Sequence, residues 1–205
     1  MESGMTRFSW LFDRADPGPR PDWDKVLWET GNFAVLPSLG SLVPGWLIVV
    51  PRWPICNLSF LENDKHSELT NIVAAAREKL RVFSGNVQVF EHGGRSASDL
   101  SCGVDQAHLH IVPLDFDLAE LAKCDQNISW SPITCGADMW NELPKDEEYL
   151  LVAGPTKALV GLPNVPKSQW FRRLIADRLG RGDQWNYRQY PHIENIAETC
   201  EKLIA

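Results

Sequence analysis

Residues 105–113 read Asp105-Gln106-Ala107-His108-Leu109-His110-Ile111-Val112-Pro113, and the interpretation of the whole chain follows from them. The segment places two histidines at alternate positions inside an apolar, β-branched run. Because successive side chains of a strand point to opposite faces, Gln106, His108 and His110 are expected to line one face. Imidazole titrates near neutral pH and serves as nucleophile, acid, base or metal ligand. The segment predicts either a functional strand or a surface strand with two ordinary histidines.

A stretch rich in glycine and serine, residues 90–103, leads directly into this strand. Small residues let backbone amides approach an anion closely, and a concave set of N–H groups binds phosphate oxygens. Alone, the stretch would read as an ordinary hairpin loop. Beside a two-histidine strand it favours a phosphate-binding loop. His92, next to Gly93, is a further candidate ligand contact.

These motifs together resemble the histidine-triad (HIT) superfamily of nucleotide hydrolases and transferases, whose signature is His-x-His-x-His followed by two apolar residues. Residues 103–113 match it except that Gln106 stands at the first histidine. Residues 42–52 resemble the family's P-G-H-x-L-V-I-P-K strand and residues 87–93 its next strand. With residues 26–37, which resemble the first two strands, the resemblance covers roughly residues 8–116.

The resemblance implies roles for individual residues. His108 matches the family's nucleophile, which attacks an α-phosphate to form a nucleotidyl-imidazole, and His110 matches the histidine that contacts the phosphate near the leaving group. Gln106 cannot titrate, but it can still form hydrogen bonds with substrate. In the family, the amides and small side chains just before the triad hold phosphate oxygens, and these positions are Ser101, Cys102 and Gly103.

Other positions depart from the family pattern. Trp46 stands where many members have the histidine of the P-G-H motif, and Pro54 falls where another histidine often follows. An indole at position 46 is expected to stack on a base, to narrow the pocket, or to point into the core. The Cys-x-x-Cys pair that often opens the family's domain is absent, since residues 9–12 read Ser-Trp-Leu-Phe, so we expect no structural zinc there.

Composition limits the remaining possibilities. The chain has 205 residues and a formal net charge of −7, without a block of lysines and arginines, so we expect no nucleic-acid partner. No apolar run approaches the length of a membrane span and no secretory signal is evident, so we expect no membrane association. Five cysteines, an odd number without close pairs, favour free thiols in a reducing cytoplasm.

Hydrophobic periodicity predicts an α+β fold, in which a five-stranded antiparallel sheet packs against a central helix. We expect residues 1–116 to form a HIT-like nucleotide-binding and catalytic domain, and residues 117–205 to form a helical extension that packs on it. The predicted strands cover 25–29, 32–37, 45–51, 87–91 and 108–113, and the predicted central helix covers 65–83. Within the extension we predict helices at 117–123, 168–179 and 194–204 and a strand at 148–153.

The extension resembles the C-terminal tails of longer bacterial HIT proteins, and this resemblance implies a lid that folds back over the nucleotide site. Arg172 and Arg173 lie near the start of one of its helices and are candidate phosphate ligands. Because neighbouring residues face about 100° apart on a helix, we expect only one of them to reach a given ligand. A solvated basic turn is the alternative.

Two functions are compatible with these patterns. The first is a nucleotidyl hydrolase or transferase that acts at the α-phosphate of a dinucleoside polyphosphate, a nucleotide sugar or a phosphoramidate. Its groups are all supplied by protein, so we expect no metal and no cofactor. The second is a nucleotide-binding protein with weak or lost catalysis. Metal binding through His108 and His110 is a weaker third reading, because no acidic or cysteine partner lies at metal-site spacing. Many members of the family pair as dimers, so a homodimer is one expectation.

Overall fold

The computed structural model describes residues 7–12, 18–94, 106–165 and 167–204, and within them a single antiparallel sheet runs through the molecule. Its eight strands lie in the order β1-β2-β3-β5-β4-β7-β8-β6. The strands are β1 (Trp28–Glu29), β2 (Phe33–Pro37), β3 (Leu47–Pro51), β4 (Val87–Gly93), β5 (Leu109–Pro113), β6 (Ile128–Ile133), β7 (Tyr149–Ala153) and β8 (Ala158–Pro163). The helices are α1 (Asn63–Lys79), α2 (Leu118–Ala122), α3 (Trp170–Arg178) and α4 (Ile193–Ile204).

The predicted five-stranded sheet is wrong in its strand count, because the segment after residue 116, for which one strand was predicted, adds three strands to the same sheet. β7 pairs with β4, with Phe90 opposite Val152, and β8 and β6 follow it to the edge. The predicted strand at 148–153 is confirmed as β7, whereas β6 and β8 were missed. The sheet is therefore continuous across position 116, where the sequence suggested a boundary.

The central strands are buried on both faces, and this is why they read as nearly unbroken apolar runs. α1 packs on one face through Leu69, Ile72 and Ala76, which recur at helical spacing. The helix predicted at 65–83 is confirmed, although its last turn is a short 3₁₀ segment. β5 lies between β3 and β4, so that His110 faces Ile48 on one side and Phe90 on the other.

The opposite face of the sheet is covered by the extension and by the N-terminal residues. α3 places Phe171 and Ile175 over this face, in one apolar cluster with Phe90. α4 anchors the loop between β2 and β3, because the hydroxyl of Thr199 accepts a hydrogen bond from the Gly45 amide at 2.7 Å. Phe8 packs against the β2–β3 side of the same face. No helix in the described ranges is both long and apolar enough to cross a membrane.

Candidate active site

The two histidines of the 105–113 segment lie side by side beneath α3. The centroids of the His108 and His110 rings are 5.0 Å apart, and the ring planes are nearly perpendicular. Both rings line a narrow cavity of about 30 Å³ between the sheet and the start of α3. The other walls are formed by Ile48, Phe90 and His92 from the sheet, by Arg7 and Phe8, by the 169–172 turn, and by Tyr187.

His108 is held from one side by its own backbone segment. Its Nδ1 lies 2.7 Å from the carbonyl oxygen of Gln106. A carbonyl oxygen only accepts hydrogen bonds, so Nδ1 is the donor and carries a proton. In the neutral ring, Nε2 is then the nitrogen with the lone pair. This is the arrangement that a nucleophilic imidazole needs.

His110 is buried, with only 4% of its surface exposed, and its ring is enclosed by aromatic groups. The Phe90 ring stacks on it at a centroid distance of 4.5 Å, and the Trp46 indole N–H donates to its Nδ1 at 3.0 Å. Burial lowers the pKa of His110 well below its ordinary value, and electrostatic repulsion from His108, Arg172 and Arg7 lowers that pKa further. His110 is therefore neutral at physiological pH.

Trp46 lies behind His110 rather than in the cavity. Its side chain is fully buried and is not part of the cavity wall. Three roles were open for Trp46 from the sequence: stacking on a base, narrowing the pocket, or pointing into the core. The structure has its indole in the core, where no base can stack on it. Its indole nevertheless reaches the site through the hydrogen bond to His110.

Gln106 reaches the site through its backbone and not through its side chain. The residue is 1% exposed, and its amide nitrogen donates to the carbonyl oxygens of Pro51 at 3.3 Å and Trp53 at 2.9 Å. Its side chain is not part of the cavity wall that His108 and His110 share, and it precedes β5, which begins at Leu109. The Gln106 carbonyl instead orients His108.

His92 lies on the cavity side of β4 and contacts a carboxylate that sequence reasoning missed. Its Nε2 is 2.5 Å from Oε1 of Glu148, and both side chains are almost completely buried. Glu148 immediately precedes β7, and only the pairing of β7 with β4 brings it to His92. No sequence spacing indicates this contact. A second cavity of about 360 Å³ adjoins the first and shares His92 and Trp170 with it.

The two adjacent arginines of α3 point in different directions. Arg172 is 6% exposed and lines the histidine cavity. Its guanidinium donates to the carbonyl oxygens of Gly40 at 2.6 Å and Leu39 at 2.8 Å and to the hydroxyl of Ser38 at 2.8 Å. It therefore joins the first turn of α3 to the loop after β2.

Arg173 lies outside the cavity lining. Its guanidinium sits 3.2 Å from the centroid of the Trp185 ring, and its Nε donates to the Ser168 carbonyl at 3.0 Å. Burial lowers the pKa of Arg173, although a nearby aspartate opposes this shift. Of the two candidate phosphate ligands, only Arg172 borders the histidine cavity.

Three further predicted contacts, Ser101, Cys102 and Gly103, lie outside the described residues, so the phosphate-binding loop stays a prediction. Among the described residues, 169–172 and Tyr187 line the cavity on the side of the extension, and we call this part of the lining the cover. Gln169 adopts the left-handed conformation at the start of α3, with φ of 57°. A positive φ at a glutamine has no sequence signature, and nothing in the sequence singled out Tyr187.

No protein-family model matches the chain, and no curated protein matches it. Solved structures do match. A HIT-like protein involved in cell-cycle regulation from Bartonella henselae shares 19% identity over 53% of this chain and 78% of its own, with a TM-score of 0.39. Yeast Ap4A phosphorylase shares 14% sequence identity over 84% of this chain and 72% of its own, with a TM-score of 0.43. A DUF4931 family protein from Bacillus cereus shares 12% sequence identity over 85% of this chain and 99% of its own, with a TM-score of 0.44.

One of these similar structures is thus described as a HIT-like protein.

Proposed function

We propose that the chain is a nucleotidyl hydrolase or transferase that acts at the α-phosphate of a nucleoside phosphate derivative through a nucleotidyl-His108 intermediate. The observation that carries the proposal is the 2.7 Å contact between His108 Nδ1 and the Gln106 carbonyl, which puts the lone pair of the neutral ring on Nε2. His110, 5.0 Å away between ring centroids, stands beside the nucleophile. The resemblance of residues 103–113 to the HIT signature supports the same assignment.

The proposed reaction has two displacement steps at phosphorus. In the first, the Nε2 lone pair of His108 forms a P–N bond while the bond to the leaving group breaks, and the leaving group keeps the electron pair. In the second, water or a phosphate acceptor attacks the same phosphorus, and the P–N electrons return to the imidazole. The His110 N–H and the positive charge of Arg172 would stabilise the negative charge that develops on the phosphoryl oxygens.

Substrate entry in this proposal requires the cover to move. The histidine cavity of about 30 Å³ holds about two water molecules, which is far less than a nucleoside phosphate needs. The cover is held by the three Arg172 hydrogen bonds to residues 38–40. Displacement of the 169–172 turn would join the histidine cavity to the neighbouring cavity of about 360 Å³ at His92 and Trp170. The joined space would accommodate a nucleoside.

The second candidate function is nucleotide binding with weak or lost catalysis. It is favoured by Gln106, whose side chain is committed to the Pro51 and Trp53 carbonyls and supplies no third imidazole. In that case a nucleotide would bind at the same cavity, and the phosphorus–leaving-group bond would stay intact.

Mass spectrometry of products after incubation with dinucleoside polyphosphates, nucleotide sugars and nucleoside phosphoramidates separates the two functions. We expect a nucleoside monophosphate or its transfer product from wild type, and none from His108→Ala. His192→Asn is the matched control, because its positive φ of 49° suits asparagine and it lies outside the cavity lining. Nucleotide binding without any product would favour the second function, and neither binding nor product would refute both.

A further inference from the structure

The two neighbouring histidines are held in opposite tautomers by partners of opposite hydrogen-bonding character. The Gln106 carbonyl accepts from His108 and so requires the proton on Nδ1. The indole N–H of Trp46 donates to His110 at 3.0 Å and so requires an unprotonated Nδ1. In the neutral ring of His110, the proton is therefore on Nε2. His108 offers a lone pair at Nε2, and His110 offers an N–H at the same atom.

The surroundings of His110 also keep its ring neutral. The ring stacks on Phe90 and is buried. Among the described residues, the charged or titratable groups that line its cavity are His108, His92, Arg7, Arg172 and Tyr187. A second proton on His110 would have to go on Nδ1, the atom that accepts from the buried indole. Protonation would thus break the Trp46 hydrogen bond and place two donors against each other.

We propose that Trp46 is a positioning residue that fixes His110 as a hydrogen-bond donor without acid function, and that the site consequently prefers phosphoric anhydrides over phosphoramidates. The substrate preference rests on the proposed function. A neutral imidazole that gave up its Nε2 proton would become an imidazolate, which is far too basic to form at neutral pH. His110 can therefore stabilise charge on an oxygen, but it cannot deliver a proton to a leaving group.

The leaving groups of the two substrate classes differ in their need for that proton. When the P–O bond of an anhydride breaks, the electron pair stays on a phosphate oxygen that is stable as an anion at neutral pH. When the P–N bond of a phosphoramidate breaks, the electron pair stays on nitrogen, which must receive a proton to leave as an amine. Polyphosphates and nucleotide sugars therefore fit the neutral His110, and amidates do not.

The first test reads the tautomer directly and needs no substrate. In ¹⁵N NMR spectra of the resting protein between about pH 5.5 and 8, we expect His110 to show an unprotonated Nδ1, a protonated Nε2 and no titration. In Trp46→Phe the tautomer ratio of His110 should change by about tenfold, which is the effect of one ordinary hydrogen bond. A protonated Nδ1 in wild type, or an unchanged ratio in the variant, would overturn the assignment.

Trp140→Phe is the matched control for the loss of a buried indole N–H. Trp140 is also buried and donates one hydrogen bond of 3.0 Å, to the hydroxyl of Thr70 on α1. It packs in the cluster on the other face of the sheet. We expect the control to lower the melting temperature without changing the His110 spectrum. An equal change of that spectrum in both variants would show a general loss of packing and would refute the role of Trp46.

The second test compares turnover of an anhydride and an amidate of the same nucleoside, with each common base in turn. Because general acid catalysis contributes about 100- to 10,000-fold, we expect wild type to prefer the anhydride by at least about 100-fold in kcat/KM. Trp46→Phe should reduce this preference, whereas Trp140→Phe should not. An amidate cleaved as fast as the anhydride would overturn the substrate preference. This holds also if the amidate activity disappears in His92→Gln, which would indicate that His92 supplies the proton to the leaving group. If neither class reacts, the proposed function fails, and the NMR result still decides the role of Trp46.

Discussion

Replacement of Arg172 by methionine tests how the cover over the histidines is held in place. Methionine keeps the length and much of the packing of the side-chain stem but removes the guanidinium. Arg172 makes three hydrogen bonds to residues 38–40, and its guanidinium lies 4.7 Å from the centroid of the Trp46 ring. The substitution leaves two carbonyls and one hydroxyl without these donors in a buried position.

The expected cost follows from these contacts. Hydrogen bonds from a charged donor contribute about 1.5–3 kcal/mol each, while release of the buried charge into water offsets part of that sum. A buried acceptor that loses its donor typically costs about 1–3 kcal/mol, and because three acceptors lose theirs while the buried charge is also removed, we expect a loss of about 3–5 kcal/mol for Arg172→Met. Arg173→Met removes one hydrogen bond and one partly exposed stacking contact, so we expect a loss of about 1–2 kcal/mol.

Urea unfolding of wild type and the two variants measures the loss in free energy of unfolding for each arginine. Arg173→Met is the matched control, because it makes the same substitution at the adjacent residue of the same helix. Hydrogen exchange should in addition show reduced protection of the α3 amides in Arg172→Met only. A loss below about 1 kcal/mol for Arg172→Met, or equal losses in the two variants, would refute the role of Arg172 in holding the cover.

Three further predictions concern stability. Gln106→His should lower the free energy of unfolding by about 1–3 kcal/mol, because a neutral imidazole has one N–H and can donate only one of the two hydrogen bonds that the amide nitrogen donates. An unchanged urea midpoint would contradict this. Gly40→Ala should lower the free energy of unfolding by more than about 1 kcal/mol, because φ is +73° and the new Cβ would collide with Tyr187. The control Gly85→Ala, with open space around its Cβ, should change the stability little. Equal melting temperatures of the two variants would refute this prediction. Burial, and after it the neighbouring Glu91 carboxylate, raises the pKa of Tyr149 well above its ordinary value. Above about pH 10 only the unfolded state loses this proton, so the free energy of unfolding should fall by up to about 1.4 kcal/mol per pH unit. A Tyr149→Phe variant with the same slope would contradict this.

The elements whose side chains repeat regularly could be predicted from the sequence. α1 has its apolar residues at helical spacing, and β5 is a β-branched run around His110, so both are found near their predicted bounds. β6 carries only one fully buried residue and contains Pro132, as expected for an edge strand, and this pattern gives little signal. β8 is interrupted by Gly161. The count of strands was wrong for these local reasons.

The environment of the site depended on contacts that no local pattern encodes. Trp46 is separated from His110 by 64 positions, and Arg172 is separated from the 38–40 loop by more than 130. Sequence alternation indicates the face that a strand residue points to, but it does not say whether that face is open or covered by a later segment. Of the three roles that the sequence left open for Trp46, the structure has the core position, in one apolar cluster with residues of α3.

The nucleophilic role of His108 is tested by peptide mass spectrometry of the protein after rapid quenching during turnover of a nucleoside phosphoric anhydride. We expect an acid-labile mass increase equal to one nucleotidyl group on the peptide that contains His108, and no increase in His108→Ala. His110→Ala should still form the adduct, more slowly, because His110 is not the attacking group in this account. An adduct on His110 or on any other residue, or product formation at the wild-type rate by His108→Ala, would contradict the assignment of His108 as the nucleophile.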